Sequence, residues 1–244
     1  MAELASDPRR RAVQGGILSR SITAAGTAIL WLMFSLVFSI LIEWVGMVFW
    51  WPEEGVEHSR AMLAKEIGYL DTEFTRSMVT SDPVRLARDV ADKIHYVFFE
   101  ATRFVDLARW ASAPPEPSER GMRPALHATY TPIAEFVIAM MQVTEVFSVR
   151  LAILTLAMPV FLLFSLVGLV DGLVQRDLRR WGGGRESSFV YHYAKKAMVP
   201  LVVVTWVAYL ALPFSLHPTV IVLPFAMFFA LAVAITASTF KKYL

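Results

Sequence analysis

The stretch VRLAILTLAMPVFLLFSLVGLVDGLV, residues 149–174, determines what kind of fold this chain can adopt. It is apolar nearly throughout. At a rise of about 1.5 Å per residue it is long enough to cross the roughly 30 Å of hydrocarbon in a bilayer. Its interior proline, Pro159, is tolerated in a membrane helix because neighbouring helices can satisfy the freed backbone carbonyl. We therefore predict a membrane-spanning helix here.

The composition of the whole chain supports this prediction. Hydrophobic residues make up 56% and charged residues 18% of the 244 residues, and the mean hydropathy is +0.52. A soluble domain has about a quarter of its residues charged and about half or fewer apolar. The net charge of +2 is too small and too scattered to predict direct nucleic-acid binding. The absence of cysteine excludes disulfides, thiolate catalysis and thiolate-bound metal centres.

Three further apolar stretches predict three further spans. One covers residues 23–51 and has no small-residue cleavage site after it, so it is predicted to be an uncleaved anchor rather than a signal peptide. The other two lie within residues 198–240, where Pro213 and Pro218 bracket the short turn FSLH and make the last two spans a hairpin. The predicted fold class is all-α, an integral membrane protein with four transmembrane helices.

The positions of the basic residues predict the orientation of the spans. Lys and Arg are enriched in short cytoplasmic flanks of membrane helices. The basic flanks are Arg9, Arg10, Arg11 and Arg20 before the first span; Arg176, Arg179, Arg180, Arg185, Lys195 and Lys196 between the second and third; and Lys241 and Lys242 after the fourth. With four spans all three flanks fall on one side, which predicts a multi-pass membrane protein with both termini in the cytoplasm.

The long region between the first two spans is then predicted to be a helical periplasmic domain. Leu63, Ile67 and Leu70 recur at helical spacing. Ser81 or Asp82 followed by Pro83 predicts the start of a second helix, and a third is predicted to begin near Thr131 and to run into the second span. The segment SAPPEPSERGMRP, residues 112–124, is predicted to be a loop.

These expectations divide the chain into seven parts. They are a cytoplasmic basic N-terminus (1–22), transmembrane helix 1 (23–51), the periplasmic helical domain (52–148), transmembrane helix 2 (149–174), a cytoplasmic connector (175–197), the transmembrane hairpin of helices 3 and 4 (198–240) and a cytoplasmic C-terminus (241–244).

Two carboxylates lie within the predicted spans. Carboxylates are costly in a membrane and often mark functional sites. Glu43 is near the predicted outer interface, where it is expected to reach lipid headgroups or cap a neighbouring helix; a proton or ion site is the alternative. Asp171 is near the cytoplasmic end of the second span, where we expect an ion pair with Arg176, Arg179 or Arg180.

The connector carries the most varied chemistry. Its candidate partner-binding residues are Arg179, Arg180, Arg185, Glu186, Ser187, Ser188, Tyr191, His192 and Lys195. The enrichment of Lys and Arg on the cytoplasmic side explains the basic residues of the connector. It does not explain the sequence Arg-Glu-Ser-Ser at residues 185–188 or Tyr-His-Tyr at residues 191–193. Two interpretations stay open: an interfacial helix whose polar groups lie at lipid headgroups, and a docking surface for a cytoplasmic partner.

No catalytic or cofactor motif accompanies these residues. The glycines at 182–184 are followed by Arg-Glu-Ser instead of the Gly-Lys-Ser/Thr that a phosphate loop needs. The serines lack the Gly-x-Ser-x-Gly elbow of hydrolases. Asp177, Glu186 and His192 match no metal-binding motif. We therefore expect no enzyme activity, no metal and no cofactor.

The stretch RDLRRWGGGRESSFVYHYAKK, residues 176–196, following GLVDGL at residues 168–173, resembles the signature of a family of inner-membrane proteins from integrating conjugative elements and related plasmids. The order of basic N-terminus, one span ending in FWWP, a long loop and three spans is similar too. The family's biochemical activity is undefined, and its members are typically encoded beside the conjugative coupling ATPase. The resemblance implies a setting in bacterial DNA transfer by type IV secretion, without catalytic residues to carry over.

The function expected from these observations is that of a non-enzymatic accessory of a conjugative machine. Its connector would dock or assemble the coupling ATPase, with other type IV secretion components and membrane lipid as further contacts. A homo-oligomer is another candidate arrangement, because the predicted helices leave apolar faces to cover. A small membrane transporter or channel and a protein that excludes redundant transfer are the alternative functions.

Overall fold

The computed structural model describes residues 17–73, 80, 82–114, 122–182 and 188–240. Its helices, in chain order, are α1 Ile17–Phe49, α2 Val56–Glu73, α3 Pro83–His95, α4 Phe104–Ser112, α5 Met122–Tyr130, α6 Ala134–Trp181, α7 Ser188–Ala211 and α8 Pro218–Thr239. A π-helix, Tyr96–Glu100, follows α3, and a 3₁₀ helix, Thr131–Ile133, joins α5 to α6. The described residues contain no strand, so the prediction of an all-α fold is confirmed.

Four helices are long and apolar enough to cross a membrane, as the sequence predicts. The candidate spans are Ala25–Phe49, Met122–Trp181, Phe189–Ala211 and Pro218–Thr239. The second contains residues 149–174 but is much longer, because it includes α5 and the 3₁₀ helix as well as all of α6, which extends beyond the apolar stretch on both sides. The third begins inside the predicted connector, since Ser188 already starts α7.

The long helix α6 organises the packing, because α1, α2, α3, α7 and α8 all contact it. The closest approach is to α8 and depends on two glycines. A Cβ atom at Gly168 would lie 2.3 Å from the carbonyl oxygen of Ala230, and one at Gly172 would lie 2.4 Å from that of Ala234. Small residues allow this approach, and without a hydrophobic effect inside lipid such close packing is a main source of helix association.

We expect Gly168→Leu to separate α6 from α8, because backbone atoms of Ala230 cannot move aside as a flexible side chain can. The variant should lose the compact fold, which protease resistance and the midpoint of thermal unfolding in detergent would measure. The matched control is Gly26→Leu on α1, where an added Cβ meets no atom within 4 Å. Equal stability of the two variants would contradict this account of the α6–α8 contact.

The last two candidate spans, α7 and α8, pack against each other and are joined by a short turn. Ala211 ends α7, and Pro218 occupies the first turn of α8. Proline suits this position because the first backbone N–H groups of a helix have no partner within it. His217 caps the helix, its Nδ1 accepting a hydrogen bond from the Thr219 N–H at 3.4 Å.

The helices between the first two spans also follow local sequence signals. Asp82 caps α3 by accepting a 2.9 Å hydrogen bond from the Arg85 N–H, and Pro83 is its first residue. This confirms the Asp82 alternative for the cap, whereas Ser81 lies outside the described residues. The helix that begins there is interrupted by the π-helix and by Arg103, which adopts a left-handed conformation with φ of 55°.

The predicted loop over residues 112–124 is shorter than expected. Ser112 still belongs to α4, and α5 already begins at Met122. Pro124 therefore lies in the first turn of a helix, where the missing N–H costs no hydrogen bond. Residues 115–121 lie outside the described residues.

Candidate functional site

The predicted connector residues converge where three helix ends meet. Side chains from the last turns of α6 and the first turns of α7 lie around the ring of Phe240, the residue that follows α8. The Arg176 Cζ atom lies 5.7 Å from the centroid of this ring. The ring of Tyr191 lies 6.0 Å from it, centroid to centroid. We call Arg176, Arg179, Tyr191, Lys195 and Phe240 the connector cluster.

Arg179 joins α6 to the end of α8. Its Nη2 donates a short hydrogen bond to the carbonyl oxygen of Ser238. The last four carbonyls of a helix have no partner within it, and the helix dipole places partial negative charge there. A guanidinium at this position therefore satisfies an otherwise open acceptor and fixes the two helix ends to each other.

The aromatic and basic residues of α7 add to the cluster. The Lys195 Nζ lies 5.8 Å from the centroid of the Tyr191 ring, at the i, i+4 spacing that brings side chains together on a helix. The neighbouring His192 ring is 5.4 Å from that of Tyr191. Tyr191 is half-buried, whereas His192 and Lys195 are exposed.

Large side chains beside the cluster are uncovered. Trp181, the last residue of α6, is 91% exposed. Arg180, just before it, is also exposed, as are Phe189 and Tyr193 on α7. An indole at the end of a candidate span is typical of the boundary between membrane and water, where lipid headgroups or a partner can cover it.

The structure thus brings some predicted residues together and leaves others apart. Arg179, Tyr191 and Lys195 share one cluster, and Arg180 and His192 lie exposed around it. Arg185, Glu186 and Ser187 lie outside the described residues, as does the side chain of Ser188. The sequence analysis did not select Phe240 or Trp181. For Phe240, an aromatic residue directly after an apolar span was a signal that could have identified it.

The ion pair expected for Asp171 is absent from the described part of the chain. Its Oδ2 instead accepts a 2.6 Å hydrogen bond from Gln175 Nε2, one helical turn away. Arg176 is instead directed towards Phe240, which follows α8, and Arg179 towards Ser238 on α8. Because Asp171 is exposed, its carboxylate needs no buried cation as a partner, and the hydrogen bond from Gln175 is sufficient.

A second polar site, which the sequence did not reveal, lies at Arg150 on α6. Its side chain is 1% exposed, and its Nε donates to Glu66 Oε1 of α2 at 2.8 Å. The second carboxylate oxygen, Glu66 Oε2, accepts a 2.7 Å hydrogen bond from the Tyr209 hydroxyl of α7. We call these three residues the buried triad.

The remaining donors of Arg150 hold the turn between α7 and α8. Nη1 donates to the carbonyl oxygen of Leu212 at 2.5 Å, and Nη2 donates to that of Phe214 at 2.9 Å. Nη2 also lies 3.5 Å from the sulfur of Met62. One guanidinium therefore connects α2, α6 and the hairpin, and it satisfies carbonyls that the end of α7 leaves open.

Sequence reasoning missed the triad for a specific reason. Arg150 lies one residue inside the predicted second span, next to the boundary of the loop, where it is indistinguishable from a loop arginine. An ionisable residue within an apolar span is nevertheless a signal for a site. Its partner Glu66 is 84 residues away in the chain, so no local pattern identifies the pair.

Glu43 is buried, so the predicted contact with lipid headgroups is wrong, whereas the alternative of an interaction with a neighbouring helix agrees with its position at the first turn of α2. It is 1% exposed, and its carboxylate lies 3.0 Å from Nδ1 of His58 on α2. The Trp51 ring stacks on the His58 ring at 4.0 Å. Gly46 makes this fold-back possible, because a Cβ there would lie 1.9 Å from the indole.

Both buried carboxylates, Glu43 and Glu66, join α2 to other helices. The carboxylates of Glu43 and Glu66 are engaged by side chains of the same chain, and Glu66 also by the buried hydroxyl of Tyr209. Within the described residues, no three His, Asp or Glu side chains are grouped so that they could hold a metal ion. The arrangement is suited to holding helices in register.

Comparison with known proteins supplies the setting for this architecture. Neither curated proteins nor solved structures give a match to the chain. One family profile, described as IncC plasmid conjugative DNA transfer protein DtrJ-like, matches residues 50–241. That match covers more than half of the chain and confirms the resemblance to a conjugation-associated family of undefined biochemical activity. With its all-helical fold and four candidate spans, the chain belongs to the DtrJ-like family of conjugative DNA transfer proteins.

Proposed function

We propose that this protein is a non-enzymatic inner-membrane accessory of a type IV secretion apparatus, and that its connector docks or assembles the conjugative coupling ATPase. The observation that carries the proposal is the exposed Trp181 beside the connector cluster. Both termini and the connector are assigned to the cytoplasmic side, because the basic flanks all fall on that side of a four-span chain. The catalytic step of transfer would then belong to the partner.

The surface has the composition of a binding site. Trp, Tyr and Arg are the residues most enriched among those that contribute strongly to protein–protein binding. Trp181, Arg180 and Tyr193 are all exposed at this end of the helices. The exposed charged side chain of Lys195 supplies part of the polar rim that such interfaces have.

The cluster beneath the surface supports docking as well. The Arg179 hydrogen bond to Ser238 and the packing of Tyr191 on Phe240 fix the ends of α6, α7 and α8 relative to one another. A surface already held in its binding geometry loses less conformational entropy when a partner binds. Contact with lipid headgroups needs no such fixed geometry, so this packing favours docking.

A transporter or channel is less well supported. That function needs ionisable groups that can exchange ions or protons along a path through the spans. The guanidinium of Arg150 is instead hydrogen bonded to a carboxylate and to the carbonyls of Leu212 and Phe214. Glu66 and His58, which bond to Arg150 and Glu43, belong to α2, which is not one of the four candidate spans.

Photocrosslinking in mating cells tests the proposal directly. A photoreactive amino acid would replace Trp181 or His192, and the matched control is Leu162, an exposed apolar residue in the middle of the α6 span. We expect the coupling ATPase to be captured from positions 181 and 192 and only lipid from position 162. Capture of lipid alone from all three, or of a second copy of this chain in place of the ATPase, would contradict the proposal.

A further inference from the structure

An apolar groove lies where α6, α7 and α8 come together next to the connector cluster. Its volume is about 410 Å³. The lining side chains are nearly all apolar and include Leu169 and Leu173 from α6, Met198 from α7, and Val233 and Ala237 from α8. Leu169 is 41% exposed and Leu173 is 42% exposed, so the chain itself does not fill the groove.

The length of α8 places this groove near one surface of the membrane. With 22 residues, α8 is about 33 Å long, close to the roughly 30 Å of hydrocarbon in a bilayer. If α8 crosses the bilayer, its two ends therefore lie near the two surfaces. Val233 and Ala237 belong to its last two turns, and the lining residues of α6 and α7 also belong to candidate spans. Lipid therefore surrounds the groove, and headgroups lie at its connector end.

Two cations stand at that end of the groove. Arg176 lines the groove, and its Cζ atom lies 5.7 Å from the centroid of the Phe240 ring. The Tyr191 ring lies 6.0 Å from the same ring and 5.8 Å from Nζ of Lys195. Lys195 precedes Met198, a lining residue, by three positions on α7, so the two share one helix face. Arg176 and Lys195 thus approach the groove from two different helices.

Neither cation has a carboxylate partner within the part of the chain that the structure describes. The ion pairs in that part join other residues. Asp171, which the sequence offered as a partner for Arg176, accepts a hydrogen bond from Gln175 instead. A guanidinium at the edge of hydrocarbon is costly without an anion or polar group to meet it. We therefore expect the anion to come from outside the chain.

An anionic phospholipid has both of the required parts. Its phosphate can accept paired hydrogen bonds from a guanidinium, and its acyl chain matches the apolar lining. Basic pockets between membrane helices on the cytoplasmic side are suited to such headgroups. Phosphatidylethanolamine also carries a phosphate, but its ammonium group would be repelled by Lys195. Two cations together therefore favour a headgroup with net negative charge.

We propose that this groove binds an anionic phospholipid, with the phosphate on Arg176 and Lys195 and one acyl chain between α6 and α7. The bound lipid fills the space beside α8 and helps to hold the three helix ends together. The site is separate from the exposed residues Arg180, Trp181 and His192, which we assign to docking. The inference depends on the membrane location of the chain and not on its partner, so failure of ATPase docking would leave it unchanged.

Native mass spectrometry of the purified full chain in a non-ionic detergent tests the site by counting bound lipids. The protein would be mixed with equal amounts of phosphatidylglycerol and phosphatidylethanolamine that carry the same acyl chains. We expect the wild-type protein to retain phosphatidylglycerol in preference, by about five-fold or more, because each basic residue at a headgroup contributes about a factor of five in affinity. Equal retention of the two lipids would overturn the proposal.

Charge variants locate the phosphate. Arg176→Gln and Lys195→Gln should each reduce the binding of phosphatidylglycerol by about five-fold. The matched control is Lys196→Gln, which removes an exposed cation from another face of α7 and should leave binding unchanged. Arg176→Lys keeps the charge and should retain most of the binding, which separates loss of the phosphate contact from loss of the fold. Unchanged binding in Arg176→Gln and Lys195→Gln, or an equal loss in Lys196→Gln, would contradict the proposed site.

A groove variant tests the acyl chain. Leu173→Trp fills the groove and should reduce lipid binding several-fold, whereas Val174→Trp, at an exposed position that does not line the groove, should not. Glycerol phosphate, which has the phosphate but no acyl chains, should fail to displace the lipid at equal concentration. Displacement by glycerol phosphate, or full lipid binding by Leu173→Trp, would mean that only a phosphate is recognised and would overturn the assignment to a phospholipid.

Discussion

Replacing Arg150 with methionine is expected to destabilise the protein by about 3–5 kcal/mol, the cost of removing one partner from a buried ion pair. Methionine fills similar space but makes none of the hydrogen bonds. The carboxylate of Glu66 would stay buried without its cation, and the carbonyls of Leu212 and Phe214 would lose their donors. Thermal unfolding of the purified protein in detergent would measure the loss.

Two controls make the result specific to the buried triad. Arg60→Met removes an exposed arginine whose partner Glu57 is also exposed, and such surface pairs contribute about 0–1 kcal/mol. The double variant Arg150→Met/Glu66→Met removes both charges, and we expect it to be less destabilised than the sum of the two single variants. Additive losses would contradict a direct coupling between the two residues.

The triple variant Arg180→Ala/Trp181→Ala/His192→Ala is expected to reduce conjugative transfer by about 100-fold or more. Truncation of a strongly contributing Trp or Arg costs about 2 kcal/mol or more of binding, and each 1.4 kcal/mol is a factor of about ten in affinity. All three side chains are exposed and outside the connector cluster. Their loss should therefore leave the fold intact. Mating frequency would be measured with the variant as the only copy.

The control for this experiment is Asp177→Ala, which alters an exposed residue on the same end of α6. It should leave transfer close to the wild-type frequency. Immunoblots of membrane fractions would establish that the triple variant is inserted at normal levels. Normal transfer by an inserted triple variant would contradict docking through this surface and would direct the search for function to the region between the first two spans.

Several features of this protein follow from local sequence. The four apolar stretches specify candidate spans because the length of an apolar run is enough to cross a bilayer. Asp82 with Pro83, and Pro218 after the turn, specify helix starts because capping depends on the next few residues only. The connector residues could be named as candidates because their mixed chemistry interrupts two apolar runs. That they bind a partner is still a prediction.

The tertiary structure decided how these helices are rotated and which side chains meet. Arg150 and Glu66 are 84 residues apart, and Tyr209 and Glu66 are 143 apart, so their contacts depend on the packing of three helices. Glu43 is buried by His58 and Trp51 only because the chain turns back after α1. Phe240 becomes the centre of the connector cluster because α6 and α8 approach closely at Gly168 and Gly172. The length of an apolar run is a property of one segment, so the sequence alone determined the candidate spans. The pairing of polar groups depends on the relative rotation and depth of several helices, so only the packed structure decided the polar sites.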